Sequence, residues 1–135
     1  MNCAIIGGSG FIGTRLAGRL FGKIGLRLCI VDKAISKAFS QLTTLADVRS
    51  VEQLRAAIPK GAVIVNLAAE HRDDVRPLSL YDEVNVGGAK NICEVAREKD
   101  VKTIIFTSTV AVYGFAPLET NESGKISPFN DYGRT

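Results

Sequence analysis

The sequence contains a single histidine, His71, and no cluster of His, Cys, Asp and Glu at ligand spacing, so no metal site is expected. Its three cysteines, Cys3, Cys29 and Cys93, lack C-x-x-C spacing, and each sits in an apolar pattern. They read as small buried hydrophobes kept reduced, not as disulfides or metal ligands. No apolar run is long enough to span a bilayer, so no membrane partner is expected. The first apolar pattern starts at about residue 2, leaving no room for a leader peptide, and a cytoplasmic location is expected. The formal net charge is only +3, and the basic residues are scattered. A nucleic-acid partner would need a basic face with interleaved aromatics, and none is present. Low-complexity tracts and internal repeats are also missing.

What is present is an alternation of short apolar runs with helical stripes. At 135 residues and 46% apolar composition, this is one domain with a core of useful size. The runs at 2–7, 26–32, 42–46, 62–67 and 102–108 read as strands. Helices are expected at 11–22, 50–58 and 79–98. The first should carry Phe11, Leu16, Leu20 and Phe21 toward the sheet; the third has Leu80, Val84, Ile92 and Val95 on one side. Ser50 and Gln53 have capping-box spacing. Residues 110–129 read as loop, with a helix starting near Asn130. Strands alternating with helices predict an α/β fold, a doubly wound parallel sheet.

The chemistry starts in the first turn, Gly7-Gly8-Ser9-Gly10-Phe11-Ile12-Gly13, directly after Cys3-Ala4-Ile5-Ile6. Gly8, Gly10 and Gly13 fit G-x-G-x-x-G, and Gly7, Gly10 and Gly13 fit a looser G-x-x-G-x-x-G. Glycines let backbone approach a pyrophosphate, and free N–H groups at the following helix start favour an anion. Asp32 closes the second strand at the spacing of a ribose-binding acid. A carboxylate there accepts from the 2′-OH of NAD and repels the 2′-phosphate of NADP, so NAD is the expected cofactor.

Two further groups stay open on residue chemistry alone. Thr107-Ser108-Thr109 end the fifth strand, where ligands of open α/β sheets bind, yet Thr is also an ordinary strand residue. Tyr132 could be a general base only if cations stabilise its phenolate; read alone, it is a surface or packing residue. His71 and the charged run Asp73, Asp74 and Arg76 read as polar loop.

Together these motifs resemble the extended short-chain dehydrogenase/reductase family, and within it the NAD-dependent sugar-nucleotide epimerases, over the whole chain. The resemblance implies a Rossmann domain, with Gly7, Gly10 and Gly13 as the glycine motif, Phe11 and Ile12 beside the cofactor, and Asp32 as the ribose acid. It implies adenine contact by Asp47 and Val48, and cofactor contact by Leu67, Ala68 and Ala69 within Asn66-Leu67-Ala68-Ala69. Asn85 matches a residue of the nicotinamide side. Phe106 to Gly114 is similar to the family's strand-five signature, with Thr107 at the cofactor and Thr109 at the catalytic hydroxyl position. Tyr132-Gly133-Arg134-Thr135 matches the start of Tyr-x-x-x-Lys, with the lysine at position 136.

Val110 and Ala111 stand where sugar dehydratases carry two acids, which leaves 4-epimerisation or keto-reduction. The implied reaction is oxidation at sugar C4 by the Tyr132 phenolate and NAD, with Thr109 holding the hydroxyl, followed by reduction of the turned 4-keto sugar. The expected substrate is a nucleotide sugar, and the expected assembly a homodimer through the 79–98 helix and the helix near Tyr132. The chain is expected to be the N-terminal, cofactor-binding part of a longer enzyme, a truncated sheet of about five strands without a complete substrate domain, and inactive alone. A keto-sugar reductase and a non-catalytic NAD-binding module are the alternatives.

Overall fold

A computed structural model describes Met1–Thr135. Five strands, β1 (Asn2–Ile6), β2 (Arg27–Asp32), β3 (Thr43–Leu45), β4 (Val63–Asn66) and β5 (Thr103–Phe106), alternate with helices, except that only a 3-10 turn, Ser40–Leu42, joins β2 to β3. The helices are α1 (Phe11–Leu20), α2 (Val51–Ala57), α3 (Ser79–Tyr81), α4 (Gly88–Glu98) and α5 (Asp131–Arg134). All strand pairs are parallel, in the order β3-β2-β1-β4-β5. This is the doubly wound Rossmann-like sheet expected from the βα alternation.

Alternation along each strand splits the core into two layers. In β1, Cys3 and Ile5 face α1, where Ala17 is buried and Leu16 and Leu20 pack alongside. Ala4 and Ile6 face the other way, against Leu54 of α2 and Ile92 and Val95 of α4. Ile30 and Val65 join the first layer, and Val31 and Ile64 the second. Each large aliphatic side chain buried this way contributes roughly 1.5–3 kcal/mol. Ser50 caps α2, its hydroxyl accepting from Gln53 N–H at 3.3 Å. The Gln53 carboxamide reaches back to Asp47 N–H at 2.8 Å, three residues beyond the reciprocal position of a simple capping box.

Four expectations about the helices and strands are corrected. Phe11 is 77% exposed, because the first turn of α1 rises clear of the sheet at its open end; the Arg15 guanidinium lies over its ring at 5.4 Å. Phe21 follows the last turn of α1 and leans on Phe39 instead of the sheet. The helix expected at 79–98 is interrupted by a π-helical stretch, Asp82–Gly87. Beside it, Gly88 lies so close to Val48 that a Cβ would come within 2.7 Å of its Cγ2. The fourth concerns β5, which is shorter than the expected 102–108 and exposed along all four residues, since it forms the sheet edge with no helix laid over it.

Cys93 is exposed too, on the side of α4 that lines a shallow pocket with Phe106 of the uncovered edge strand, whereas Cys3 is buried and Cys29 half-buried. Burial pushes both inner thiols up, Cys29 to about 11 with Cys3 beside it adding to the effect. Raised thiols have little thiolate at pH 8 and react slowly. We therefore expect an aromatic disulfide reagent to consume one thiol per folded chain rapidly, and Cys93→Ser to remove that phase. Two rapid equivalents in the unaltered chain would contradict this packing.

Candidate active site

A cleft of about 840 Å³ opens across the carboxyl ends of the strands, at the point between β1 and β4 where the strand order reverses. That crevice is where open α/β sheets hold their ligands. Gly7, leaving β1, has φ of +75° and donates its N–H to the Val31 carbonyl at 2.8 Å. A Cβ on it would lie 2.7 Å from Ala68 N, so the floor of the loop admits no side chain. At Gly13, a Cβ would overlap the backbone of Gly8, which ties the start of α1 to the loop. Gly10 caps α1 without any side-chain partner for the helix's first amides. These amides are the unpaired positive end of the helix, at the cleft.

Asp32 points into this crevice and has a structural task as well. Its Oδ2 accepts from Ser9 N–H at 2.9 Å and its Oδ1 from Ala34 N–H at 3.0 Å. A carboxylate offers about four acceptor positions, so two remain for a ribose diol. Ser9 Oγ donates to the Ala34 carbonyl at 2.6 Å, so the glycine loop and the β2 exit hold each other. Across the mouth, Lys33 pairs with Glu70 at 2.8 Å.

At the far side, Asp47, Val48 and Arg49 follow β3, and Leu67, Ala68 and Ala69 follow β4. Asn66 is buried, its carboxamide oxygen accepting from Ala68 N–H at 3.1 Å and bending the chain into the cleft. Thr107 Oγ1 donates to the Asn66 carbonyl at 3.2 Å. Thr109 Oγ1 accepts from Ala111 N–H at 3.2 Å, which leaves its own proton free to donate.

The π-helical stretch redirects three side chains at once. Asn85 accepts from Glu70 N–H at 2.8 Å and donates to the Glu70 carbonyl at 3.0 Å and to Thr135 Oγ1 at 2.8 Å. Asp82 receives Arg134 in a two-pronged contact of 2.9 and 2.7 Å, and that guanidinium holds its carboxyl below the usual range. Glu83 reaches Arg49 at 3.5 Å. Asn130 caps α5 through Gly133 N–H at 2.8 Å, so α5 is fixed at its cap, at Arg134 and at Thr135. Tyr132 is thereby carried into the cleft that Thr109 also lines.

All the residues assigned to the cofactor or the chemistry line this one cleft: Gly7, Gly10, Phe11, Ile12, Gly13, Asp32, Asp47, Val48, Leu67, Ala68, Ala69, Asn85, Thr107, Thr109 and Tyr132. Sequence reasoning underrated His71, whose ring stands edge-on to Tyr132 at 6.3 Å between centroids and lines the cleft. It also passed over Arg49 and Arg134, because no local spacing distinguishes a site arginine from a solvated one. The position of the lone histidine, two residues after Asn66-Leu67-Ala68-Ala69, was the available signal for His71.

A fold of this kind, with a glycine loop under a helix start and an acid closing the second strand, defines a dinucleotide-binding protein. The model of the NAD dependent epimerase/dehydratase family matches residues 3–135, and the chain belongs to that family. It is 42% identical over 134 residues to N-acetyl-alpha-D-glucosaminyl-diphospho-ditrans,octacis-undecaprenol 4-epimerase of Escherichia coli O157:H7, covering 99% of this chain and 40% of that protein. It is 30% identical to UDP-glucose 4-epimerase of Vibrio cholerae, covering 96% of this chain and 42% of that protein. Among solved structures it is similar to UDP-glucose 4-epimerase from Brucella ovis in complex with NAD, with a TM-score of 0.82 and 26% identity over 98% of this chain and 43% of that one. The Thermus thermophilus UDP-glucose 4-epimerase complex with NAD gives 0.83 and 27% over 99% and 47%. The chain thus spans about two-fifths of the length of these curated relatives. No helix is long and apolar enough to cross a membrane.

Proposed function

We propose that this chain is the NAD-binding part of a sugar 4-epimerase whose substrate carries its sugar on a diphosphate. The observation supporting this most directly is that the glycine loop, Asp32, Thr109 and Tyr132 all line one continuous cleft. The cradle fits the cofactor, since the side-chain-free floor at Gly7 and the uncapped amides of α1 suit a pyrophosphate, and the acceptor positions left on Asp32 suit a ribose diol. Bound NAD supplies a hydride acceptor that can return the hydride. The chain's own residues position and deprotonate. Thr109 holds the C4 hydroxyl with its free proton, and Tyr132 takes the hydroxyl proton as a base. Val110 and Ala111, with no ionisable group, follow Thr109, so the site has no acid there to expel water from the sugar.

Thr109 and Tyr132 act at C4, away from the diphosphate on C1, and are compatible with a nucleotide or a polyprenyl carrier. A UDP-sugar is one reading; the 42% identity to the Escherichia coli O157:H7 protein, against 30% for the UDP-glucose epimerase of Vibrio cholerae, favours the lipid-linked carrier. Supplying the full-length enzyme with each donor separates them, and a requirement for external reductant would point to a reductase instead.

The cofactor half of the proposal is tested on the chain itself. NAD at a hundredfold excess over its Kd stabilises by about 2.7 kcal/mol, a rise of roughly 8–10 °C in melting midpoint for a domain of this size. NADP should give much less, because its 2′-phosphate meets the Asp32 carboxylate. Equal protection by both dinucleotides would remove Asp32 from the ribose.

A further inference from the structure

The end of the cleft that follows β3 holds an ion pair whose role no motif assigns. Arg49 wraps its own neighbour's carboxylate. Its backbone N–H and Nε reach Asp47 Oδ1 at 2.9 and 3.0 Å, and Nη2 reaches Oδ2 at 2.6 Å, with Nε also 3.1 Å from Oδ2. The far side of the guanidinium is 3.5 Å from Glu83 Oε2, on the π-helical stretch. The Asp47 backbone is locked independently: its N–H goes to Gln53, its carbonyl accepts from Ser50 N–H at 3.0 Å, and the next carbonyl, Val48, accepts from Asn91 at 2.9 Å. The carboxylate is therefore held at both ends, and Arg49, with Lys33 adding charge, keeps it below the usual carboxylate range. This is more restraint than an exposed loop aspartate needs in order to be soluble. Three Arg49 donors reach the carboxylate, with Nε–H shared between the two oxygens, so of its about four acceptor positions one is left.

The geometry points to Arg49 as the positioning residue for adenine recognition: it clamps Asp47 so that the carboxylate presents its one remaining acceptor position to the exocyclic amino group of the base. The inference rests on the NAD reading above. Glu83 completes the clamp from a second element, which links the shape of the π-helical stretch to the base end of the cleft.

The test compares NAD with nicotinamide hypoxanthine dinucleotide, in which a carbonyl oxygen replaces the amino group, by calorimetric titration of the chain. The unaltered chain should prefer NAD by about tenfold or more, the usual effect of a hydrogen bond to a charged group. Arg49→Gln should reduce that preference to about threefold or less, chiefly by weakening NAD. Arg49→Lys keeps the charge but not the fork, and should reduce it too. The melting midpoint should hardly move, because exposed ion pairs contribute little to stability. Equal weakening of both dinucleotides, or an unchanged preference in both variants, would assign Arg49 a structural role only and overturn the inference. If the unaltered chain binds both dinucleotides equally, Asp47 does not read the base, and the role of Arg49 falls with it. The unaltered chain's own preference thus tests the underlying reading, and the change in that preference tests Arg49.

Discussion

Gly13→Ala lowers the melting midpoint by roughly 10 °C and abolishes NAD binding, while Gly18→Ala, five residues along the same helix, raises the midpoint slightly. The first change places a Cβ into the Cα, carbonyl carbon and carbonyl oxygen of Gly8. These are backbone atoms of a turn already held by Val31 at Gly7 N–H and by Asp32 at Ser9 N–H, so they cannot yield as a flexible side chain would. Overpacking of this kind costs about 3 kcal/mol, equivalent to roughly 10 °C here. The displaced part would be the start of α1, the anion-facing end of the helix. At Gly18 the nearest atom to a new Cβ is Phe39 Cζ at 3.8 Å, an ordinary contact. Alanine there gains the helix-interior advantage of about 0.5–1 kcal/mol. Thermal melts with and without NAD check both signs. A Gly13→Ala chain that melts and binds normally would show that the loop is not packed as described.

Tyr132→Phe in the full-length enzyme should cut kcat by about 10²–10⁴, the usual contribution of a positioned proton-transfer group. Affinity for NAD should stay nearly unchanged. The substitution keeps the ring against His71 and leaves the anchors of α5 intact, since these belong to Asn130, Arg134 and Thr135. Thr109→Val should lower kcat as well, but it also removes the acceptor for Ala111 N–H and so loosens the turn that carries it. Separate kcat and KM measurements distinguish the two variants. Substantial turnover by the Tyr132→Phe enzyme would mean that another group moves the proton, and His71 would be the first to examine.

Much of this site was readable from local chemistry. Successive apolar residues in 2–6 and 63–66, and the stripe through Leu54, are enough to define strands covered on both faces and a helix lying on them, because burial periodicity depends on neighbours a few residues away. Ser50 and Asn130 announced helix starts for the same reason, each satisfying an amide three residues on. The glycines and Asp32 were legible because their spacing in sequence maps directly onto one turn and the end of the adjacent strand.

Where local pattern misled, a long-range contact had decided the matter. Phe11 has the periodicity of a core residue, but helix α1 starts beyond the edge of the sheet, so its first turn overhangs the cleft. Cys93 sits in an apolar pattern yet is exposed, beside Phe106 of the uncovered edge strand β5. The π-helical stretch at Asp82–Gly87 has no sequence signature of its own; it is stabilised by partners in three other segments, Arg134, Arg49 and the Glu70 backbone.

By itself, then, the sequence determined the order of strands and helices, their caps, and the position of the glycine loop at the start of α1, because each depends on chemistry repeated within a few residues. Only the tertiary structure decided which charged and aromatic side chains meet across the cleft: Arg49 with Asp47 and Glu83, Arg134 with Asp82, and His71 with Tyr132. Apart from Arg49 and Asp47, these partners lie dozens of residues apart. Their pairing follows from a parallel sheet that gathers every strand's carboxyl end on one side.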